Sequence, residues 1–225
     1  MKKKLQIAMD LFHVEEAIKI LDEVVDYVDI IEVGSPLGVS EGAAAVKSLR
    51  ERYPDKFIFS DIKVMDGGAE VPVSVIKAGC DMFSVLGVAD DNTIKAAIQL
   101  AKKNNVKVLV DMCNVTDMEA RALEIEKIGP DYLCCHVAYD VQDTGVDPIE
   151  ELRRLEVSKL PKAIAGGIKL STFEKAVNSS AEIIICGAGL VQQENRKEIA
   201  RQMRAILDTY NQTNSKNQII GGMQV

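Results

Sequence analysis

The chain has 225 residues, of which 47% are hydrophobic, and a formal net charge of −7 at pH 7. This composition excludes a disordered or fibrous protein, and no apolar run approaches the ~18 residues of a membrane span. Nucleic acid is excluded as the main partner because no basic run extends beyond Lys2–Lys4. The five cysteines, an odd number without CxxC spacing, predict a reducing environment and therefore a cytoplasmic protein.

Short apolar runs alternate with longer segments of helical periodicity along almost the whole chain. The apolar runs predict eight strands: Leu5–Met9, Asp29–Val33, Phe57–Ile62, Met82–Leu86, Lys107–Val110, Tyr132–Cys135, Lys162–Ala165 and Ile183–Cys186. The gaps hold amphipathic helices, among them Val14–Val25, Glu41–Arg52, Asp91–Lys103, Asp117–Ile128 and Asn195–Tyr210. Eight strand–helix units of about 25 residues each are typical of an α/β fold, the (β/α)8 TIM barrel.

We predict one barrel domain over residues 1–210, followed by a flexible polar tail over residues 211–225, which is rich in Asn and Gln. An open doubly wound sheet is the main alternative, because it also alternates strands and helices. Its dinucleotide-binding form carries GxGxxG after the first strand. This chain has Asp10, Leu11, Phe12 and His13 there, without glycine, which favours the barrel.

Polar residues stand at the ends of the predicted strands, where TIM barrels carry their chemistry. They are Asp10, Glu32, Asp61, Lys63, Asp66, Asp111 and His136. Two carboxylates on neighbouring strands, Glu32 and Asp61, need a compensating cation if they are buried. Oxygen ligands favour Mg²⁺ or another divalent cation such as Mn²⁺. The alternative is a cluster bridged by Lys63, which would neutralise Asp61 and Asp66.

His136 lies on the same strand face as Cys134, because side chains alternate along a strand. With Asp10, Glu32 and Asp61 at the same end of the barrel, we predict that His136 transfers protons. The alternative is a hydrogen-bonded core histidine. The cysteines themselves are predicted to pack in the core.

Two glycine turns follow the last two predicted strands, and each precedes a helix. They contain Gly166 and Gly167 in the first turn, and Gly187, Ala188 and Gly189 in the second. Small residues at such a position let backbone N–H groups approach an anion, and barrels bind phosphate after strands seven and eight. Glycine is common in turns of every kind, so ordinary turns are the alternative. The two turns together favour a phosphate site.

With these residues identified, the third-strand pattern Asp-x-Lys-x-x-Asp of Asp61, Lys63 and Asp66 resembles the orotidine monophosphate decarboxylase suprafamily. The nucleotide decarboxylases of that group carry a Lys on the second strand. Glu32 at this position resembles the metal-dependent branch, which contains 3-hexulose-6-phosphate synthases and 3-keto-L-gulonate-6-phosphate decarboxylases. The similarity extends from Leu5 to about Tyr210.

Two positions separate these activities in the family. The decarboxylases typically carry Arg three residues after the strand-six His and after the first glycine of the eighth-strand turn. This chain has Tyr139 and Ala188 there. The resemblance therefore favours aldol condensation of D-ribulose 5-phosphate with formaldehyde, and its reverse, over decarboxylation of 3-keto-L-gulonate 6-phosphate. A non-catalytic sugar-phosphate-binding barrel is the third alternative. An epimerase is disfavoured, because its metal site needs two strand-end histidines and only His136 qualifies.

The resemblance also implies residue roles. Glu32 and Asp61 are expected to hold Mg²⁺ against the C2 and C3 oxygens of a phosphorylated ketose, and His136 to remove the C1 proton. Lys63 is expected to neutralise developing oxyanion charge, and Asp10 to hydrogen-bond substrate hydroxyls. The family further implies a homodimer with shared active sites, in which Asp66 reaches into the partner's site.

Overall fold

A computed structural model describes residues 2–221 and shows a closed barrel of eight parallel strands in sequential order. The strands are β1 (Lys4–Met9), β2 (Ile30–Val33), β3 (Phe57–Val64), β4 (Met82–Leu86), β5 (Lys107–Asp111), β6 (Tyr132–His136), β7 (Lys162–Ala165) and β8 (Ile183–Cys186). β1 pairs with β8 as well as with β2, so the sheet has no free edge. The predicted TIM barrel is therefore confirmed, and the open doubly wound sheet is excluded.

Helices surround the barrel. Those of the described residues are α1 (Val14–Val24), α2 (Ser35–Glu41), α3 (Ala43–Arg52), α4 (Val73–Lys77), α5 (Asp91–Lys103), α6 (Met118–Ile128), α7 (Pro148–Arg153), α8 (Leu170–Val177), α9 (Ala188–Val191) and α10 (Arg196–Gly221). Short 3₁₀ turns lie at Val25–Tyr27 and Tyr139–Thr144. From residue 2 to residue 221, no helix combines the length and the apolar character that crossing a membrane requires.

Three helices begin at an aspartate that caps them. The side chains of Asp90, Asp117 and Asp147 accept hydrogen bonds from backbone N–H groups in the first turns of α5, α6 and α7. Such a cap satisfies a donor that the helix leaves unpaired and contributes about 1 kcal/mol. These caps explain why the predicted starts of α5 and α6 agree with the structure to within one residue.

Two helix boundaries differ from the prediction. Gly42, with a φ of 59°, separates α2 from α3, so the predicted helix over 41–52 is preceded by a further short helix. At the other end, α10 extends past the predicted stop at Tyr210 to Gly221. Asn211 exchanges hydrogen bonds with the backbone of Lys3 at the start of β1. The predicted flexibility of residues 211–225 stays a prediction, and residues 222–225 lie outside the described residues.

The apolar side chains form two cores because strand residues alternate between the two faces of the barrel wall. The larger core lies between strands and helices and includes buried residues of both. The smaller core fills the barrel interior and consists of Ala8, Ile30, Phe59, Met82, Leu109, Tyr132, Cys134, Ala163, Ala165, Ile183 and Ile185. All five cysteines are free and buried, as predicted. Apolar side chains therefore fill the barrel interior, and polar side chains lie at the carboxyl ends of the strands.

Candidate active site

The structure brings most of the predicted site residues together at the carboxyl end of the barrel. Asp10 follows β1, Glu32 lies in β2, Asp61 and Lys63 lie in β3, and His136 ends β6. Asp111, at the end of β5, joins them through direct contacts. Glu32, Asp61 and Asp111 are all buried. Three buried carboxylates at one point are costly unless cations compensate them, so the arrangement indicates a functional site.

Lys63 supplies one such cation. Its Nζ lies 2.9 Å from Asp61 Oδ2 and 2.8 Å from Asp111 Oδ2. Burial lowers the pKa of Lys63, but the two carboxylates outweigh burial and raise the pKa above its ordinary value. Lys63 therefore stays charged at neutral pH.

The alternative in which Lys63 neutralises both Asp61 and Asp66 holds for Asp61 only. Asp66 is exposed beyond the end of β3, and its Oδ1 accepts a hydrogen bond from the backbone N–H of Gly67. Because β3 ends at Val64, Asp66 lies in the following loop. The cation pairs instead with Asp111, which is distant in sequence but lies two strands along the barrel.

A bulge in β3 aims Lys63 at this cluster. The pairing of β3 with β4 shifts register between Ser60 and Val64, and Lys63 has a φ of 44°. A left-handed conformation at a residue with a side chain costs about 1–2 kcal/mol. The Lys63 backbone N–H donates to Ser84 Oγ at 2.8 Å, and the two ion pairs hold the side chain. These contacts offset the backbone strain at Lys63. A strained conformation that is retained in this way indicates a functional position.

Asp61 is held at both carboxylate oxygens. Ser84 Oγ donates to Asp61 Oδ1 at 2.7 Å, and Ser35 Oγ donates to Asp61 Oδ2 at 2.8 Å. Ser35 opens α2, directly after β2, whereas Ser84 lies inside β4. Neither serine was predicted as a site residue. The alternation of β4 is a sequence signal for Ser84, since it is a hydroxyl inside an apolar strand.

Glu32 has no such cation. Within residues 2–221, its carboxylate accepts one hydrogen bond, from Gln6 Nε2 at 2.6 Å. Burial, Asp61 and Asp10 raise the pKa of Glu32 well above its ordinary value, against the opposing effects of Gln6 and Lys63. The alternative of a cluster bridged by Lys63 therefore holds for Asp61, but among the described residues it leaves the negative charge of Glu32 uncompensated.

The donor set around Glu32 and Asp61 fits a divalent metal ion. Mg²⁺ is typically bound by one or two protein carboxylates, with substrate oxygens and water completing its coordination. A bound dication would supply the charge that Glu32 lacks. In the described part of the chain, Asp111, Cys113 and His136 also bring ligand atoms within 4.8 Å of one another. The Lys63 ammonium lies on the Asp111 oxygen that contacts His136 and equally on Asp61 Oδ2, so its position does not distinguish the two groups.

Asp111 links Lys63 to His136. His136 Nδ1 lies 2.8 Å from Asp111 Oδ2, and the backbone N–H of Cys113 donates to Asp111 Oδ1 at 2.9 Å. Burial raises the pKa of Asp111, but His136 and Lys63 outweigh burial and hold the pKa well below its usual range. An ionised Asp111 needs donors, so Nδ1 of a neutral His136 carries the hydrogen and Nε2 is left with its lone pair.

The pKa of His136 is shifted by the same contact. Burial lowers it, but the hydrogen bond and the charge of Asp111 outweigh burial and leave the pKa above its ordinary value. The alternative of a hydrogen-bonded core histidine agrees with the structure in the hydrogen bond but not in the burial, because His136 is half-buried at the rim of the interior. Asp111 was recognised in the sequence as a strand-end acid, but its partners depend on strand register and were not predicted.

Asp10 stands between the ends of β2 and β8. A Cβ atom at Gly34 would lie 2.2 Å from Asp10 Oδ1, and one at Gly187 would lie 3.2 Å from Asp10 Oδ2. The Cβ at Gly34 would also lie 2.8 Å from the backbone oxygen of Met9, which cannot move aside as a side chain can, so position 34 requires glycine. Burial and Asp61 raise the pKa of Asp10, whereas Lys63 and His136 oppose the rise. Asp10 thus belongs to the same electrostatic cluster, although the residue is open to solvent at the barrel mouth.

The two predicted glycine turns follow β7 and β8, and the second of them lies beside Asp10. In the part of the chain that the structure describes, the backbone N–H groups of Gly167, Ala188 and Gly189 have no hydrogen-bond acceptor. Unpaired N–H groups at adjacent strand ends fit an anion such as phosphate. The structure also gives two glycines a packing role. A Cβ at Gly166 would lie 2.4 Å from Val137 O, and a Cβ at Gly189 would lie 2.4 Å from Ile168 O.

Residues 3–203 match the Orotidine 5'-phosphate decarboxylase / HUMPS family. A 3-hexulose-6-phosphate synthase of Bacillus subtilis is 40% identical over 91% of this chain and 98% of its own length. The crystal structure of a 3-hexulose-6-phosphate synthase from Salmonella typhimurium superposes with a TM-score of 0.89. It is 38% identical and covers 92% of this chain and 99% of its own. A 3-keto-L-gulonate-6-phosphate decarboxylase from Vibrio cholerae superposes with a TM-score of 0.82. It is 27% identical and covers 93% of this chain and 99% of its own.

Proposed function

Because the chain belongs to the Orotidine 5'-phosphate decarboxylase / HUMPS family, we propose that it is a 3-hexulose-6-phosphate synthase. The observation that carries this proposal is the 40% identity to the synthase of Bacillus subtilis, which extends over nearly the full length of both chains. Identity to the Vibrio cholerae decarboxylase is 27% over a similar span. The reaction is an aldol condensation of D-ribulose 5-phosphate with formaldehyde, together with its reverse.

The proposed substrate site has two parts, both at the mouth of the barrel. We propose that the turns at Gly166–Gly167 and Gly187–Gly189 bind the phosphate through their backbone N–H groups. The carbonyl end of the sugar then lies over the charged cluster of Glu32, Asp61 and Lys63. Asp10, between these two parts, accepts hydrogen bonds from substrate hydroxyls. This arrangement needs no cationic side chain for the phosphate, in keeping with the net negative charge of the chain.

In the proposed mechanism, His136 transfers the protons. Its Nδ1–H is committed to Asp111, so Nε2 is the atom that takes the proton from C1 of D-ribulose 5-phosphate. The electron pair of the broken C1–H bond then forms the new bond to the carbon of formaldehyde. The formaldehyde oxygen takes up a proton, which His136 Nε2–H supplies. The product is 3-hexulose 6-phosphate, and the retro-aldol reaction follows the same steps in reverse.

Positive charge must be present where oxyanions develop. A divalent ion such as Mg²⁺, held by Glu32 and Asp61, would supply Lewis-acid stabilisation of the charge on the C2 and C3 oxygens. The Lys63 ammonium contributes a second, permanent charge and is fixed in place before substrate arrives, because Asp61 and Asp111 hold it. Asp111 thus orients both the cation and the base.

A 3-keto-L-gulonate-6-phosphate decarboxylase is the second candidate, since that enzyme also occurs among the structural relatives. After loss of CO₂, its intermediate must be protonated at C1, and a cation near the base assists that step. At the corresponding positions this chain has Tyr139, which is 74% exposed, and Ala188. Neither residue carries a permanent charge, so a carbanion survives longer and can meet formaldehyde.

We also propose that the protein works in the cytoplasm as a homodimer with shared active sites. Asp66 is exposed in the loop after β3, beside the exposed apolar side chains of Met65 and Val71. Exposed apolar groups in one loop suit a protein interface, and Asp66 would then reach a second copy. Light scattering that gives a mass near 24.6 kDa, the mass of one chain, at working concentration would contradict the dimer.

The deciding experiment is an assay of the purified protein with both substrates, with and without Mg²⁺. Formaldehyde-dependent consumption of D-ribulose 5-phosphate is expected, and it should disappear when the metal is chelated. Faster release of CO₂ from 3-keto-L-gulonate 6-phosphate would reverse the ranking of the two activities. Binding of ribulose 5-phosphate without turnover of either substrate would indicate a non-catalytic barrel.

A further inference from the structure

Gln6 is a polar side chain in the middle of the barrel interior. It lies in β1 opposite Ile30 of β2 and Ile185 of β8, both of which belong to the apolar inner core. Its side chain is fully buried. The amide Nε2 donates to Glu32 Oε2 at 2.6 Å, whereas Oε1 has no hydrogen-bond partner among the described residues. A buried acceptor without a partner destabilises the fold, so stability alone does not explain glutamine at this position.

The orientation of the Gln6 amide is determined by its neighbour. With a divalent ion bound, Glu32 is a carboxylate, which accepts hydrogen bonds but does not donate them, so the nitrogen of the amide faces Glu32. The opposite orientation would bring two acceptor oxygens together. Ala8 lies opposite Glu32 in β1 and presents only a methyl group, so the Glu32 side chain meets the longer Gln6 one pleat below. Gln6 thus fixes one oxygen of Glu32 from beneath the site.

We infer that Gln6 is a positioning residue for Glu32, and that it occupies Oε2 so that Oε1 is the oxygen presented to the divalent ion. This inference rests on the proposed metal site. Groups that hydrogen-bond a metal ligand orient it, and their loss typically lowers metal affinity by about 10- to 100-fold. Holding this metal ligand in place then leaves Gln6 Oε1 buried without a hydrogen-bond partner among the described residues. Such locally unfavourable arrangements are common at functional sites.

The test replaces Gln6 with Met, which has similar length, fills irregular space and offers no N–H donor. Mn²⁺ affinity is measured by the loss of the electron paramagnetic resonance signal of free Mn²⁺, and unfolding by urea is followed in EDTA. Gln6→Met should raise the Kd for Mn²⁺ about tenfold while leaving the urea midpoint unchanged or higher. The rise in midpoint is expected because the variant removes a buried acceptor without a partner.

Ser60→Ala is the matched control. Ser60 Oγ is also buried without a hydrogen-bond partner among residues 2–221, so it makes no hydrogen bond to Glu32. This variant should leave the Kd for Mn²⁺ unchanged. A lower urea midpoint in Gln6→Met with an unchanged Kd would assign Gln6 a structural role and overturn the inference. Wild-type protein that binds no Mn²⁺ would overturn the metal site and, with it, the role of Gln6.

Discussion

Asp111→Asn tests the link between the base and its orienting carboxylate. Asp111 Oδ2 accepts from both Lys63 and His136, and Oδ1 accepts from the N–H of Cys113. Asparagine has one acceptor oxygen and one NH₂ group. If the oxygen faces His136 and Lys63, the NH₂ group meets the Cys113 N–H. If the amide is reversed, the NH₂ group meets Lys63 and the Nδ1–H of His136. At least one contact is therefore lost in either orientation.

The size of the effect follows from these contacts. A hydrogen bond to a charged group contributes about 1.5–3 kcal/mol. If the loss falls mainly on the transition state, kcat decreases by about 10- to 150-fold. Binding of D-ribulose 5-phosphate should change less, because the glycine turns and Asp10 are untouched. KM is therefore expected to stay within a few-fold of the wild-type value.

The pH profile gives a sharper readout than the rate. As a base, His136 must be unprotonated, so activity falls as the pH drops through its pKa. Asp111 raises that pKa above its ordinary value. With neutral Asn at position 111 the pKa falls, and the acid limb of kcat/KM for the Mg²⁺-loaded enzyme moves to lower pH. Measurement of kcat/KM from about pH 5 to 9 covers the ordinary His value of about 6.5.

A distant aspartate provides the control for Asp111→Asn. Asp131 precedes β6 at the opposite end of the barrel, where its carboxylate accepts from the backbone N–H of Val108. Asp131→Asn should leave the acid limb in place, even if it lowers the urea midpoint. An acid limb that does not move in Asp111→Asn would refute the assignment of His136 as the base. An acid limb that moves equally in both variants would show a general electrostatic effect.

Three further predictions concern the metal, the phosphate and the choice of reaction. Glu32→Gln should abolish Mg²⁺-dependent turnover without loss of thermal stability, and full wild-type activity after exhaustive chelation would contradict the metal site. Gly167→Val should raise KM for D-ribulose 5-phosphate about tenfold, or about 1.4 kcal/mol, by covering backbone N–H groups, and it should also lower thermal stability because Gly167 has a φ of 70°; equal turnover of unphosphorylated ribulose by the wild-type protein would argue against a phosphate site there. Tyr139→Arg should raise any side decarboxylase activity and lower synthase activity by about tenfold each, and unchanged rates in both assays would remove Tyr139 from the specificity argument.

The barrel was predictable because its signals are local. Short apolar runs and the segments of helical periodicity between them each extend over a few residues. The end of α10 was predicted wrongly because residues after Tyr210 lack an apolar period. The helix continues there with side-chain hydroxyls of Thr209, Thr213 and Ser215 hydrogen-bonded to the preceding turn. Such bonds leave no periodic hydrophobic signal.

The site was predictable only in part, because its partners depend on the arrangement of strands around the barrel. Strand ends converge in every TIM barrel, so Glu32, Asp61 and His136 could be placed together from sequence. Of the two partners of Lys63, Asp61 was named as such from the sequence but Asp111 was not. Proximity in sequence suggested Asp66 as the second partner, but the bulge in β3 turns Lys63 toward Asp111 on β5. Gln6 was missed because one amide in an apolar strand gives no signal until its neighbour is known.

The charges of the cluster support the proposal that it binds an additional cation. Four carboxylates face one ammonium, and the two that pair with Lys63 are Asp61 and Asp111. The other two, Glu32 and Asp10, are those whose pKa values are raised. Without another cation, Glu32 and Asp10 take up protons at a higher pH than ordinary carboxyl groups do, because their pKa values are raised. This protonation lowers the repulsion within the cluster. A dication held by Glu32 and Asp61, as proposed, would remove that need, so metal binding and release of a proton from Glu32 should occur together.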